Sequence, residues 1–236
     1  MGRRLMEDPK LFLGKYVIIV AGGKGSRMNT NIPKQFLLLD GLPVLMHTIN
    51  AFDNYDATME IIVVLPENQK DHWQELCVQY HFNREHAVVS GGETRFHSVR
   101  NALSLIPEGT FVAVHDGVRP LVSRELISKL FDAAKISKLV CPVIPIADSI
   151  RKKTGSSTKR VDRNQYLLMQ TPQVFYSNYI KDAYKQDYSP IFTDDLSVLE
   201  ENRNFRPVLL EGSRENIKIT TPIDLIIAEA ILKCRN

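Results

Sequence analysis

Three short stretches of this chain carry residue types that could manage phosphate chemistry. The first is Val20-Ala21-Gly22-Gly23-Lys24-Gly25-Ser26-Arg27-Met28, continuing to Pro33-Lys34-Gln35. Glycines let backbone N–H groups approach phosphate oxygens, and Arg27 and Lys34 add two cations to the same loop. A P-loop would need Gly-Lys-Ser/Thr, but Lys24 is followed by Gly25, and a dinucleotide fingerprint would need a third glycine where Met28 stands. A glycine turn alone could merely make a tight connection. The two cations, and a place directly after a predicted strand, favour phosphate. The second stretch is His115-Asp116-Gly117-Val118-Arg119-Pro120. A carboxylate at a strand end beside a polyphosphate pocket suits Mg²⁺, a hard cation that takes one or two carboxylates plus phosphate oxygens. The plainer alternative is that Asp116 caps a turn before Pro120. His115 reads as structural, because no other His or Cys stands at metal-ligand spacing. The third stretch is Glu215-Asn216-Ile217-Lys218-Ile219-Thr220-Thr221-Pro222. Lys218 would lie on a short strand entering the last helix, with Thr221 as N-cap and Pro222 at the first helical position. A lysine between two isoleucines ordinarily points to solvent, so its weight comes from the company of the other two motifs.

These stretches must be positioned by regular elements. Apolar, β-branched runs predict strands at Tyr16–Ala21, Glu60–Leu65, His86–Ser90, Phe111–Val114, Val140–Pro145, Pro207–Leu210 and Ile217–Thr220. Helical periodicity predicts helices at Leu42–Asp53, Gln69–Tyr80, Arg95–Ile106, Arg124–Ser137, Asn178–Gln186, Asp194–Asn202 and Ile223–Lys233. Continuously apolar strands separated by helices imply an α/β fold with a mainly parallel sheet covered on both faces. The expected organisation is an N-terminal extension over residues 1–14 and a single domain over 15–236. One segment, Ile146–Asn164, breaks the rhythm with Arg151-Lys152-Lys153-Thr154-Gly155-Ser156-Ser157-Thr158-Lys159-Arg160 at its centre. It predicts a two-stranded arm leaving the core, or else a surface loop. A hairpin with so little apolar surface is marginal alone, so an arm would pack on something such as a second subunit.

Composition narrows the function classes. With 30 basic and 27 acidic side chains the net charge is only +3, too balanced for a nucleic-acid binder. Cys77, Cys141 and Cys234 are odd in number and far apart, which supports neither a zinc site nor a disulfide framework. The longest apolar run, Tyr16–Ala21, is too short to span a bilayer, and the start of the chain lacks the apolar core of a secretory signal. The expectation is a soluble cytoplasmic protein without nucleic-acid or membrane partners.

Seven motifs in order give a resemblance. Ala-Gly-Gly-x-Gly-x-Arg-Met, Pro-Lys-Gln, Gly91-Gly92-Glu93-x-Arg95, His-Asp-x-x-Arg-Pro, Val161-Asp162-Arg163, Gln170-Thr171-Pro172-Gln173 and Asn-Ile-Lys run from about Tyr16 to the C-terminus. Together they resemble the 2-C-methyl-D-erythritol 4-phosphate cytidylyltransferases of non-mevalonate isoprenoid biosynthesis. The resemblance implies a Rossmann-like sheet with a protruding β-arm, a homodimer with interlocking arms, CTP and a polyol phosphate as substrates, and Mg²⁺ as cofactor. Ala21, Gly22, Gly23 and Gly25, with Gly91, Gly92 and Ser98, would then bind CTP. Arg27, Lys34 and Lys218 would be catalytic around the triphosphate, with Asp116 beside the metal. Ser149, Arg163 and Thr171 would bind the acceptor phosphate, with Arg119 helping from across the dimer.

Some positions depart from the family pattern. Gly22 stands where alanine is common, Gly117-Val118 where Ala-Ala is common, and Ser149 in place of threonine. Gly22 and Val118 look more like ribitol 5-phosphate cytidylyltransferases, whereas Val161-Asp162-Arg163 and Thr193-Asp194-Asp195 look like the methylerythritol enzymes. A phosphate monoester is already a nucleophile at neutral pH, so no activating base is required. Catalysis of this kind rests on positioning and on cations matched to the transition state. Two rivals stay open at this level: a nucleotide-sugar glycosyltransferase, which usually presents Asp-x-Asp, and a regulatory module that binds nucleotide without turnover.

Overall fold

The computed structural model describes residues 14–23, 28, 32–200 and 206–235. In chain order the elements are β1 (Lys15–Val20), β2 (Leu38–Leu39), β3 (Leu42–Pro43), α1 (Val44–Tyr55), β4 (Glu60–Leu65), α2 (Lys70–Gln79), β5 (Ala87–Ser90) and α3 (Arg95–Leu103). There follow β6 (Phe111–Asp116), α4 (Arg124–Ser137), β7 (Leu139–Pro145), β8 (Arg151–Thr154), β9 (Ser157–Arg160) and β10 (Leu167–Met169). The last are β11 (Gln173–Tyr176), α5 (Ser177–Ala183), α6 (Asp195–Glu200), β12 (Val208–Glu211) and α7 (Pro222–Arg235).

Eight strands form one sheet in the order β10-β7-β11-β6-β1-β4-β5, with β12 on β7. Strands β5, β4, β1 and β6 are mutually parallel, as is the β12–β7 pair, whereas β11 runs antiparallel to β6 and β7. The expected mainly parallel α/β sheet is therefore present. Its centre is buried on both sides, and the two-residue period shows why. Val17, Ile19, Ile61, Val63 and Ala113 pack on one face against α1, α2 and α4. Ile18, Ile62, Val64, Val112 and Val114 pack on the other against α3, α5 and α6. Each such valine or isoleucine side chain removed from water contributes about 1.5–3 kcal/mol.

Local signals fix the helix ends. In α4, Leu126, Ile127, Leu130, Phe131 and Ala134 form one buried stripe. Ser123 caps its start by accepting from the Leu126 N–H, and Lys138 ends it in the left-handed region at φ 68°. In α7, Pro222 does occupy the first helical position. The cap differs from the one expected: Asp224 accepts from the N–H and hydroxyl groups of both Thr220 and Thr221, so the Thr221 hydroxyl donates rather than accepts.

Four other differences matter. Ile217–Thr220 is extended but is no strand; Ile219 N–H donates to the Val118 carbonyl without a ladder. The predicted Leu42–Asp53 helix starts at Val44, because Leu42 and Pro43 close a small hairpin with Leu38 and Leu39. Strands β10 and β11 were not expected. The arm is present as β8 and β9, a separate antiparallel pair, but it is shorter than Ile146–Asn164, and Leu167–Met169 pairs with β7 instead. Its register sets Arg151 opposite Arg160 and Lys152 opposite Lys159, like charges that repel across the ladder.

Candidate active site

Strand order decides where a ligand can sit. From β1 the chain proceeds to β4 and β5 on one side, then returns to place β6 on the other. The crevice beyond the carboxyl ends of β1 and β6 is thus a topological switch point. Val20 is in register with Asp116, so Ala21-Gly22-Gly23 and Asp116-Gly117 leave the sheet side by side. A Cβ on Gly117 would lie 2.8 Å from the Ala21 Cβ, so the two loops approach closely at this point. A second pair of glycines faces them. A Cβ on Gly92 would lie 2.4 Å from the His97 Cβ, so only glycine lets this loop fold onto the first turn of α3. Ser98 holds it there, accepting from the Gly92 N–H at 3.1 Å.

Between these loops lies a cavity of about 520 Å³ lined by Ala21, Gly22, Gly23, Gly91, Gly92 and Ser98 together with Lys34, Arg95, Asp116 and Lys218. A second cavity of about 400 Å³ is lined by Arg119, Gln170, Thr171, Gln173 and Asp194. Arg95, Asp116 and Lys218 line both, and so form a wall that the two cavities share.

Asp116 is the centre of this wall. Its Oδ2 accepts from Arg119 Nε at 3.0 Å and pairs with Lys218 Nζ at 3.1 Å. Its Oδ1 has Arg95 Nε at 3.9 Å, beyond hydrogen-bond distance. Burial alone would raise the pKa of this carboxyl, but Lys218, Arg95 and Arg119 overcome it and hold the group ionised far below the usual range. Lys34, buried in a single 3₁₀ turn, donates from Nζ to the Ile219 carbonyl at 3.2 Å, which ties it to the segment carrying Lys218.

A hydrogen-bond network behind the wall holds these groups. His115 Nε2 donates to the Arg119 carbonyl at 3.1 Å, so its Nδ1 accepts from Thr171 Oγ1, also at 3.1 Å. Thr171 Oγ1 in turn accepts from the Asp116 N–H at 3.0 Å. Arg119 donates to the Asn216 carbonyl at 2.8 Å, and Asn216 Nδ2 donates to the Thr171 carbonyl at 2.8 Å. Burial lowers the His115 pKa to about 4, so the ring stays neutral at physiological pH and keeps this tautomer.

A family model of 2-C-methyl-D-erythritol 4-phosphate cytidylyltransferase matches residues 15–234. The chain belongs to this family. It is 53% identical over 218 residues to the 2-C-methyl-D-erythritol 4-phosphate cytidylyltransferase of Azobacteroides pseudotrichonymphae, covering 92% of this chain and 98% of that one. It is 52% identical to the protein of the same name from Bacteroides thetaiotaomicron, with coverages of 92% and 98%. Among solved structures, the cytidylyltransferase from Francisella tularensis superposes with a TM-score of 0.77 at 32% identity, covering 92% of this chain and 99% of that one. The Thermus thermophilus family member gives 0.76 at 29% identity, with coverages of 94% and 100%.

Against the family expectations, the structure gathers Ala21, Gly22, Gly23, Lys34, Gly91, Gly92, Ser98, Asp116 and Lys218 around one cavity. Gly25 and Arg27 lie outside the described residues. Thr171 and Arg119 line the second cavity, but both are engaged within the chain through His115, Asp116 and Asn216. Ser149 and Arg163 are exposed and line neither cavity; Arg163 donates to the Ala147 carbonyl. Two wall and network members, Arg95 and Asn216, were visible only as letters within motifs and had no expected role. Nothing in the spacing of Arg95 signals that its side chain reaches Asp116. Among the described residues no group of three His, Cys, Asp or Glu could hold a metal unaided, and no helix is long and apolar enough to cross a membrane.

Proposed function

We propose that this protein transfers CMP from CTP to 2-C-methyl-D-erythritol 4-phosphate, giving 4-diphosphocytidyl-2-C-methyl-D-erythritol and pyrophosphate. The observation that carries this reading is the pair of cavities sharing Arg95, Asp116 and Lys218, one walled by glycine loops and one by polar side chains. In the reaction an oxygen of the acceptor phosphate attacks the α-phosphorus of CTP, and the bond to the α–β bridging oxygen breaks as pyrophosphate leaves. Gly22, Gly23, Gly91 and Gly92 offer close backbone approach to the nucleotide in the first cavity. Lys34 and Lys218 lie where the triphosphate would run and oppose the charge that grows on the leaving group. Arg27 and Gly25 are assigned to the same triphosphate by motif alone.

Asp116 fits a Mg²⁺ ion. It is ionised, and its Oδ1 lies beyond hydrogen-bond distance of the nearby Arg95 Nε. A single carboxylate suits an ion that keeps its waters and takes its other ligands from phosphate. When bound there, Mg²⁺ would neutralise charge on the triphosphate. Lys218, paired with Asp116, would exchange that partner for phosphate oxygens.

For the acceptor side, Thr171 and Arg119 shape the second cavity, and Ser149 and Arg163 belong with it by motif. Because those last two stand on the arm side, away from both cavities, we assign them to the acceptor site of a second copy in a homodimer. The ribitol 5-phosphate alternative is not favoured, since relatives at 53% and 52% identity carry the methylerythritol name.

The decisive assay supplies CTP and Mg²⁺ with methylerythritol phosphate or ribitol phosphate and follows pyrophosphate. Release with the first acceptor and not the second is expected. Release only with ribitol phosphate, or with neither, overturns the proposal.

A further inference from the structure

The Thr193-Asp194-Asp195 motif has no role in the account above, yet its two carboxylates are tied to two other motifs. Asp194 Oδ2 accepts from Gln173 Nε2 at 2.7 Å, and Gln173 Oε1 accepts from the Leu196 N–H at 3.0 Å. Those contacts seat the start of α6 on β11. Asp195, fully buried, takes the Arg95 guanidinium in a two-pronged pair, with NH1 at 2.7 Å and NH2 at 2.6 Å. Its Oδ1 also accepts from the Tyr184 hydroxyl at 2.7 Å.

We propose that Asp195 is a positioning residue that holds Arg95 as a fixed cation at the junction of the two cavities, beside Asp116. This rests on the cytidylyltransferase reading of the site. A long arginine side chain in a cavity wall would ordinarily sample several rotamers. The bidentate fork removes that freedom and spends only two of the five guanidinium N–H groups. Of the remaining groups, Nε stands 3.9 Å from Asp116 Oδ1, in the wall that both cavities share. A donor fixed before reaction needs no reorganisation as charge moves, so its worth is greatest in the transition state. Arg95 is also the first residue of α3, separated from Gly92 only by Glu93 and Thr94, so the same pair anchors the nucleotide loop to α6.

The test is a double-mutant cycle on kcat with Asp195→Asn, Arg95→Met and the two combined, each checked by circular dichroism. Asp195→Asn should lower kcat by about tenfold while KM for CTP changes less than about threefold, because the lost term is transition-state stabilisation. The combined variant should be no worse than Arg95→Met alone, since residues acting through one another are not additive. A purely structural Asp195 would give losses that multiply, and that result overturns the proposal. Should Asp195→Asn not fold, Tyr184→Phe decides, because it keeps the ring and removes only one hydrogen bond to Asp195. A loss of kcat that disappears in the Arg95→Met background supports the proposal; no loss, or the same loss in both backgrounds, overturns it. Wild-type protein that releases no pyrophosphate would instead overturn the underlying reading of the site, and this inference with it.

Discussion

Acidification should destabilise this protein in a window set by one buried imidazole. His115 has no exposed surface, packs edge-on against Phe52 at 5.0 Å and is hydrogen-bonded at both nitrogens. Protonation would put a proton on Nδ1, facing the Thr171 hydroxyl that now donates to it. The folded pKa is accordingly lowered to about 4, chiefly by burial, against about 6.5 in an unfolded chain. Between these values the unfolded state binds a proton that the folded state refuses, so stability rises with pH across the window and is flat above it. The full shift corresponds to about 3 kcal/mol, of which about 2 kcal/mol is already lost at pH 5. Burial shifts His86 in the same direction, so the wild-type slope alone does not isolate His115. Comparison with His115→Asn does, because His86 is common to both. Urea unfolding near pH 7, 6 and 5 should find the variant less stable at neutral pH, with that deficit shrinking by about 2 kcal/mol at the acid end. An equal acid slope in both proteins would refute the linkage, as would an NMR titration placing the folded His115 near its ordinary value.

Lys34→Ala and Lys218→Ala should each lower kcat by about 10²–10³ with smaller changes in KM for CTP, whereas Arg163→Ala should mainly raise KM for the acceptor in the same steady-state assay. Gly117→Ala would bring a Cβ to 2.8 Å from that of Ala21, which lines the first cavity, so it should cost about 1–3 kcal/mol in denaturant melts and raise KM for CTP. Gly22→Ala, whose new Cβ would be 3.9 Å from Pro66, should leave stability within about 0.5 kcal/mol. Lys15 donates to Asp56 at 2.7 Å and lowers its pKa to about 2, with help from Thr58. That stabilisation is present above about pH 4 and lost as pH falls toward 2, so Asp56→Asn should cost about 1–2 kcal/mol at neutral pH by calorimetry and less in acid.

Most of the sheet was legible because its central strands are continuous apolar runs, buried on both faces. Strand β11 was not, because Gln170-Thr171-Pro172-Gln173 reads as a polar turn, although Val174 and Phe175 behind it are fully buried. Ile217–Thr220 has strand composition but forms no ladder, and composition does not tell an extended segment from a paired one. In the site, groups at strand ends could be foreseen, since the chain direction of a parallel sheet puts them on one rim. What could not be foreseen were the partners. Asp116 was visible as a ligand-type residue, but its pairing with Lys218, and the His115–Thr171 support behind it, join segments with no common period. Arm residues Ser149 and Arg163 were read by motif alone, and a single chain does not bring them to either cavity.

The span of those bonds along the chain has a consequence for when activity can arise. Arg95 and Asp195 are 100 residues apart, Arg119 and Asn216 are 97 apart, and Lys34 and Ile219 are 185 apart. Each closes a long loop, whose entropy must be met by contacts formed earlier in the sheet. At a synthesis rate of about 5–20 residues per second, the glycine loops and β1 wait many seconds for the carbonyl that anchors Lys34. A nascent chain stalled before Ile219 can complete the central strands while its lysine lacks that anchor. The wall shared by the two cavities thus closes late, only after the segment that carries Lys218 and Ile219 has emerged.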